Sequence, residues 1–382
     1  MTNLFQTDLF NLQMDYLNRV IGINPGTYEP VVMIIKEFHS NKRWFELGEK
    51  IIQLISQDDV KPILLELYEN FVRTFFDTLD PFHRAEIVLT VSSVITPFDR
   101  SREFLESMLP KFEKQPEPCD LLKLQIVFLH TLTGSYDIAH SQLNEIEKRI
   151  TESTALQVRS QFHRTQADLD KARGDFDAFY EHALLYLSTS KSQKNMVLAF
   201  DLCMAALFSS KVCSFGELAA HPIIDSLSNT NNQWLQELII LLDSGSPNSI
   251  PEFNEKFAPT ILSHDVFRPF LPVIQQKIAL SVFLQMIFSR PFDSRIFDFS
   301  EISESCHVPL DRVEWLVMKA LSTEIIKGEI NELEQKVIVT WCKPKALDQQ
   351  RLKHLKDEID RWRSIVHNQR VALSNKAQPV VG

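Results

Sequence analysis

Glycine is scarce in this chain, with 9 among 382 residues against a usual share of roughly 7%. Turns and hairpins that need a left-handed residue must be few, so helices should dominate and the expected fold class is mainly α. The few glycines also remove whole chemistries. No GxGxxG occurs and no glycine pair frames a Gly-Lys-Ser/Thr run, so neither a dinucleotide fingerprint nor a P-loop is present. There is no GxSxG elbow, and Ser244-Gly245-Ser246 lies in a polar loop with no apolar strand before it. HExxH and HxH pairings are missing, and the 11 histidines are scattered singly, so a zinc hydrolase lacks recognisable ligands. No catalytic, cofactor-binding or metal site is expected, and the chain reads as a non-enzyme.

Positive charge is in deficit as well. A net charge of −10 repels phosphate backbones unless a local basic patch overrides it, and no such patch stands out. The five cysteines, Cys119, Cys203, Cys213, Cys306 and Cys342, are odd in number and widely spaced, as in reduced intracellular proteins. The most apolar long window, Phe270 to Phe288, is interrupted by Pro272, Gln275, Gln276 and Lys277, whereas a bilayer span needs roughly 20 apolar residues in a row. The first residues, MTNLFQTDLFNLQMDY, carry neither a basic region nor a small-residue cleavage site. No membrane association is expected, and the location read from these features is cytoplasm or nucleus.

What is present is helical periodicity. Trp44, Leu47, Ile51, Ile52 and Ile55 form one apolar face. A helix is expected from Phe82 to Ile95, ended by Thr96-Pro97, and Glu113 to Pro118 reads as a loop. Then a repeat begins. Leu132 to Ala139 (LTGSYDIA) and Lys171 to Ala178 (KARGDFDA) place Gly134 and Gly174, and Tyr136 and Phe176, 40 residues apart. In each copy a long helix should end at the glycine and a second begin within four residues, the pattern of stacked helical hairpins in a TPR-like solenoid. Met196 to Phe208 is apolar nearly all round, as an internal helix would be, and Asp243 to Pro251 is a turn-rich break.

Helix and strand signals alternate tightly only from Arg295 to Trp341. Ser300 is positioned to cap a short helix through Cys306, and Pro309 to open a second. The second helix places Leu310, Val313, Leu316, Val317, Ala320 and Leu321 on one face. Two β-rich runs follow, Glu324 to Ile330 and Lys336 to Trp341. Helix, turn, helix and hairpin is a winged-helix order. Its surface argues against DNA: Asp311, Arg312, Glu314 and Lys319 sum to zero, and along the hairpin Lys327 and Lys336 face Glu329, Glu332 and Glu334. The strand Val337, Ile338, Val339, Thr340 and Trp341 is expected to offer an unpaired edge to another protein.

A last helix should start near Ala346. Leu352, Leu355, Ile359, Trp362 and Val366 step by 3, 4, 3 and 4, a heptad stripe with charged residues on the other faces. Either it folds back on its own domain or it enters a bundle made by other chains. Residues Asn375 to Gly382 read as a disordered tail.

The run Ile302, Val308, Val313-Glu314, Leu316 and Ile325-Ile326-Lys327-Gly328-Glu329-Ile330 resembles the PCI domain. More specifically, Ser214-Phe215-Gly216-Glu217-Leu218 with His221-Pro222, the Phe176 to Leu187 hairpin and the Trp341 to Arg363 region are similar to the proteasome non-ATPase regulatory subunit 13 (Rpn9) family. Ala219 and Ala220 are small where larger apolar residues would be expected. The resemblance implies a helical-repeat arm (1–170), a PCI domain (171–342, with a helical part 171–290 and a winged helix 291–342) and a C-terminal bundle helix with its tail (343–382). It implies a non-catalytic scaffold of the 26S proteasome lid, a hetero-oligomer with other lid subunits through PCI–PCI contacts and a helical bundle. The alternatives are a PCI scaffold of a signalosome or translation-initiation-factor complex, and a nucleic-acid-binding winged helix.

Overall fold

The computed structural model describes residues 21–22, 25–190, 195–263, 267–291, 294–344 and 349–377. The chain divides into two compact units, Met1–Lys191 and Ser192–Gly382. The end of the arm expected at residue 170 falls inside the helix Leu156–Arg173, whose partner Phe176–Thr189 also belongs to the first unit.

In the first unit the periodicities become helices with their apolar faces inward. Trp44–Ile55 buries Leu47, Ile51, Leu54 and Ile55. Pro81–Val94 opens with proline at its first position, where no amide donor is needed, and the Asp80 carboxylate accepts from Phe82 N at 3.0 Å. The stretch expected as a loop at 113–118 is instead half helix, since Pro116–Leu132 starts at its first proline. Pro116 and Pro118 sit in a first turn whose amides have no intrahelical acceptor. One continuous core, from Tyr28 to Leu169, joins these helices through edge-to-face aromatic contacts such as Phe71–Phe75 and Tyr68–Phe76.

The 40-residue repeat is visible in the backbone. Pro116–Leu132 is followed by Tyr136–Glu147, and Leu156–Arg173 by Phe176–Thr189. Gly134 has φ +79° and Gly174 φ +76°, a conformation that costs a side-chain-bearing residue strain. Both close the same cap: Ser135 N donates to His130 O and Gly134 N to Thr131 O, while Asp175 N donates to Asp170 O and Gly174 N to Lys171 O. These are paired six-to-one and five-to-two bonds. Between the second pair, His182 Nδ1 lies 2.6 Å from Asp170 Oδ2.

The second unit is built around Leu271–Ser289, which buries ten residues. Together with the preceding turn it is long and apolar enough to cross a membrane by length and composition, and 56% of its most apolar window is buried inside the protein. Pro272 and the polar residues after it do not break the helix; Pro272 lies in its first turn. Lys277 is 3% exposed, donates from Nζ to Ala206 O at 2.6 Å and lies 5.6 Å from the centre of the Phe215 ring. Ala206 belongs to Met196–Phe208, capped by Asn195 and buried from Leu202 to Leu207 as its composition predicts. The lysine therefore places its charge at the carbonyl end of a neighbouring helix.

Candidate interaction surfaces

The C-terminal part of the second unit holds a three-stranded antiparallel sheet: β1 (Ile296–Asp298), β2 (Ile326–Asn331) and β3 (Lys336–Cys342). Phe299–Cys306 and Leu310–Ser322 lie between β1 and β2. The short helix is preceded by Asp298 rather than capped by Ser300, and no side-chain cap bond forms there. The corner at His307 adopts φ +50° and is held by Ser303, whose Oγ donates to Val308 O at 2.7 Å. Cys306 is buried, which pushes its thiol up to about 12 and keeps it protonated and poorly nucleophilic near neutrality. Among the described residues no group of three or more His, Cys, Asp or Glu could hold a metal ion.

The strand order is β1-β3-β2, which corrects the expected free edge. Residues Val337 to Trp341 lie in the middle strand. Ile296, Phe297 and Asp298 pair with Ile338, Val337 and Lys336 on one side, and β2 pairs along the other. The sequence missed β1 because three residues carry no readable alternation. Among the described residues, the outer side of β2 is the longer open edge. What β3 does offer outward is side chains, and a bulge decides which. Lys327 pairs with Trp341 but Gly328 with Val339, so Thr340 is the extra residue. Val337, Val339 and Cys342 point into the core while Ile338, Thr340 and Trp341 are exposed. Gly328 permits the bulge, because a Cβ there would lie 2.1 Å from Ile338 O. Thr340 Oγ1 then donates to Lys327 O at 3.0 Å, and Lys327 Nζ stands 5.3 Å from the centre of the Trp341 ring.

On Leu310–Ser322 the buried residues are Val313, Leu316, Val317 and Ala320. Leu310, expected on that face, is exposed because it begins the helix. Trp315 and Met318 are exposed too, and the sequence reading passed over them. Arg290 anchors this module to the helix before it: its guanidinium pairs with Glu301, donates to Ile296 O and lies 4.4 Å from the centre of the Phe297 ring.

The final helix, Gln349–Ala377, is 29 residues long. Its expected start at Ala346 lies outside the described residues, as does the tail beyond Ala377; Asn375 is still helical. Leu352, Leu355, Ile359, Trp362 and Val366 are each between 43% and 69% exposed, so none is buried against another element among the described residues. Ile365 and Leu373 extend the apolar surface.

The family profile described as PSD13 N-terminal repeats matches residues 31–239, more than half of the chain. The chain belongs to the PSD13 family. A second profile, the PCI domain, matches residues 254–341 and so contains the winged helix. Among curated relatives, the 26S proteasome regulatory subunit RPN9 of Saccharomyces cerevisiae is 27% identical over 358 residues, covering 87% of this chain and 89% of the relative. The 26S proteasome non-ATPase regulatory subunit 13 of Dictyostelium discoideum is 28% identical over 365 residues, covering 91% and 93%. A probable 26S proteasome regulatory subunit rpn9 of Schizosaccharomyces pombe is 24% identical, covering 93% and 94%. This PSD13-family chain thus aligns with its relatives over nearly their whole length.

Proposed function

We propose that this chain is a non-catalytic scaffolding subunit of the 26S proteasome regulatory-particle lid, serving ubiquitin-dependent protein degradation in cytoplasm and nucleus. The observation that carries the reading is the near full-length relationship to proteins named as 26S proteasome regulatory subunits, through both the repeat region and the PCI domain. Two surfaces fit assembly. One is the sheet with its outward Ile338, Thr340 and Trp341, flanked in β3 by the inward Val337 and Val339 that hold them in place. The other is the stripe Leu352, Leu355, Ile359, Trp362 and Val366, which a bundle of partner helices would cover. An uncovered stripe of this length is a liability in an isolated protein and an asset in a hetero-oligomer.

Deleting Ala346 to Gly382 tests the reading. The truncated chain should stay folded, since the exposed stripe contributes little to either core, and should fail to co-purify with the proteasome. Normal co-purification of a truncated chain would refute it. Mass spectrometry of the native complex separates a proteasomal scaffold from one in a signalosome or initiation-factor complex.

A further inference from the structure

A groove of about 560 Å³ opens in the second unit between Leu271–Ser289 and the two helices of the winged helix. Its walls are mostly apolar, including Phe253, Val273 and Leu316, and Trp315 stands at it with 56% of its surface exposed. A half-exposed indole beside an apolar groove is the composition of a protein-docking hot spot.

Charge gives the groove a side. No Asp or Glu lines it, in a chain that carries 50 of them, and Arg312 is its one Lys or Arg. Among the described residues Arg312 makes no ion pair. The carboxylates of the same helix face elsewhere: Asp311 and Glu314 line a separate depression together with Glu332 of the wing. The helix that sums to zero along its sequence is therefore cationic toward the groove and anionic away from it. Gln276, also on the groove wall, holds its side-chain Nε2 buried with no acceptor in reach, so the protein leaves a donor unsatisfied at this place.

We propose that this groove docks an acidic, hydrophobic peptide segment of a partner protein. Apolar side chains of the segment pack against Val273 and Trp315, and a carboxylate pairs with Arg312. This surface is separate from β3 and from the final helix, and the proposal stands independently of which complex the chain joins.

The test is fluorescence anisotropy on the full chain with three labelled synthetic peptides. One alternates Leu and Phe with Glu, one has every Glu replaced by Lys, and one keeps Glu but replaces Leu and Phe by Ser. The first should bind saturably and the other two at least roughly tenfold more weakly, since like-charge juxtaposition and loss of anchors each oppose docking. Arg312→Glu should reverse the preference between the Glu and Lys peptides, and Trp315→Ala should weaken the first without reversing it. Both residues are exposed, and an unchanged urea midpoint confirms that the variants fold. Absence of saturable binding by the Glu peptide, equal binding of the Glu and Lys peptides, or binding indifferent to Arg312→Glu overturns the proposal. Self-association that is lost with Trp315→Ala also overturns it, by assigning the groove to a second copy of this chain.

Discussion

Replacing Trp362 by alanine should separate stability from assembly. The indole is 69% exposed on the final helix, next to Ile359 and Val366 on the same stripe. A tryptophan buries about 150–250 Å² when covered, so about 100–170 Å² is still available to a partner at that exposure. At about 25 cal/mol per Å² this amounts to about 2.5–4 kcal/mol, or roughly a 60- to 700-fold loss of affinity. The isolated chain should hardly notice, because exposed substitutions change stability by about 0.5 kcal/mol or less. Alanine also favours helix over tryptophan by a few tenths of a kcal/mol. Two measurements are needed: a urea midpoint on the purified variant, and quantitative co-purification of tagged Trp362→Ala with the proteasome. The expected result is an unchanged midpoint and depleted co-purification. A lower midpoint would mean that the ring packs within its own chain, and an unchanged midpoint with normal incorporation would mean that it anchors nothing.

Gly328→Ala should destabilise the winged helix by about 1–3 kcal/mol, since the new methyl group meets the backbone at Ile338 and neither strand can yield cheaply; a urea melt followed by Trp341 fluorescence in a background lacking the other tryptophans reads this. Lys277→Met should cost about 1–3 kcal/mol by leaving the buried Ala206 carbonyl without its donor, and recovery of the wild-type midpoint in that variant would show the bond to be dispensable. The hydrogen bond that His182 donates to the Asp170 carboxylate, the largest influence, raises the pKa of His182 above 6.5. Its stabilisation is therefore complete below pH 6.5 and lost as pH rises through the folded-state value. The gap in urea midpoint between wild type and Asp170→Asn should be widest under mildly acidic conditions and close under alkaline ones; a gap that does not change with pH refutes the charged pair. His39, His130, His163 and His221, lowered by burial, pull the other way but are common to both proteins.

Local signals were legible where one residue type has one physical role. Gly134 and Gly174 marked two identical caps because few other residues hold a left-handed cap without strain. Met196 to Phe208 could be bounded to the residue because a run apolar but for Asp201 ends where the polar residues resume. Elements defined by a distant partner stayed hidden. β1 exists because Ile296 to Asp298 meet β3 some 40 residues later, and that meeting turns an expected edge into a central strand. Proline misled at Pro116, where the same ring that breaks a helix interior suits a helix start. The stripe from Leu352 to Val366 was readable as a seam, but its exposure among the described residues was not, since a heptad pattern states what a helix needs and not who supplies it.

The central position of β3 has a mechanical meaning. The final helix is tied to the fold through a short link after Cys342, and Lys343 N still donates to Ile325 O at 2.7 Å. A force applied to that helix enters β3 at Cys342, where β2 alone pairs with it, since β1 pairs only with Lys336 to Ile338. A tug on the tether is met first by the bonds to Ile326 and Lys327, and past the bulge by a strand clasped from both sides, so the grip tightens as the strand is drawn out.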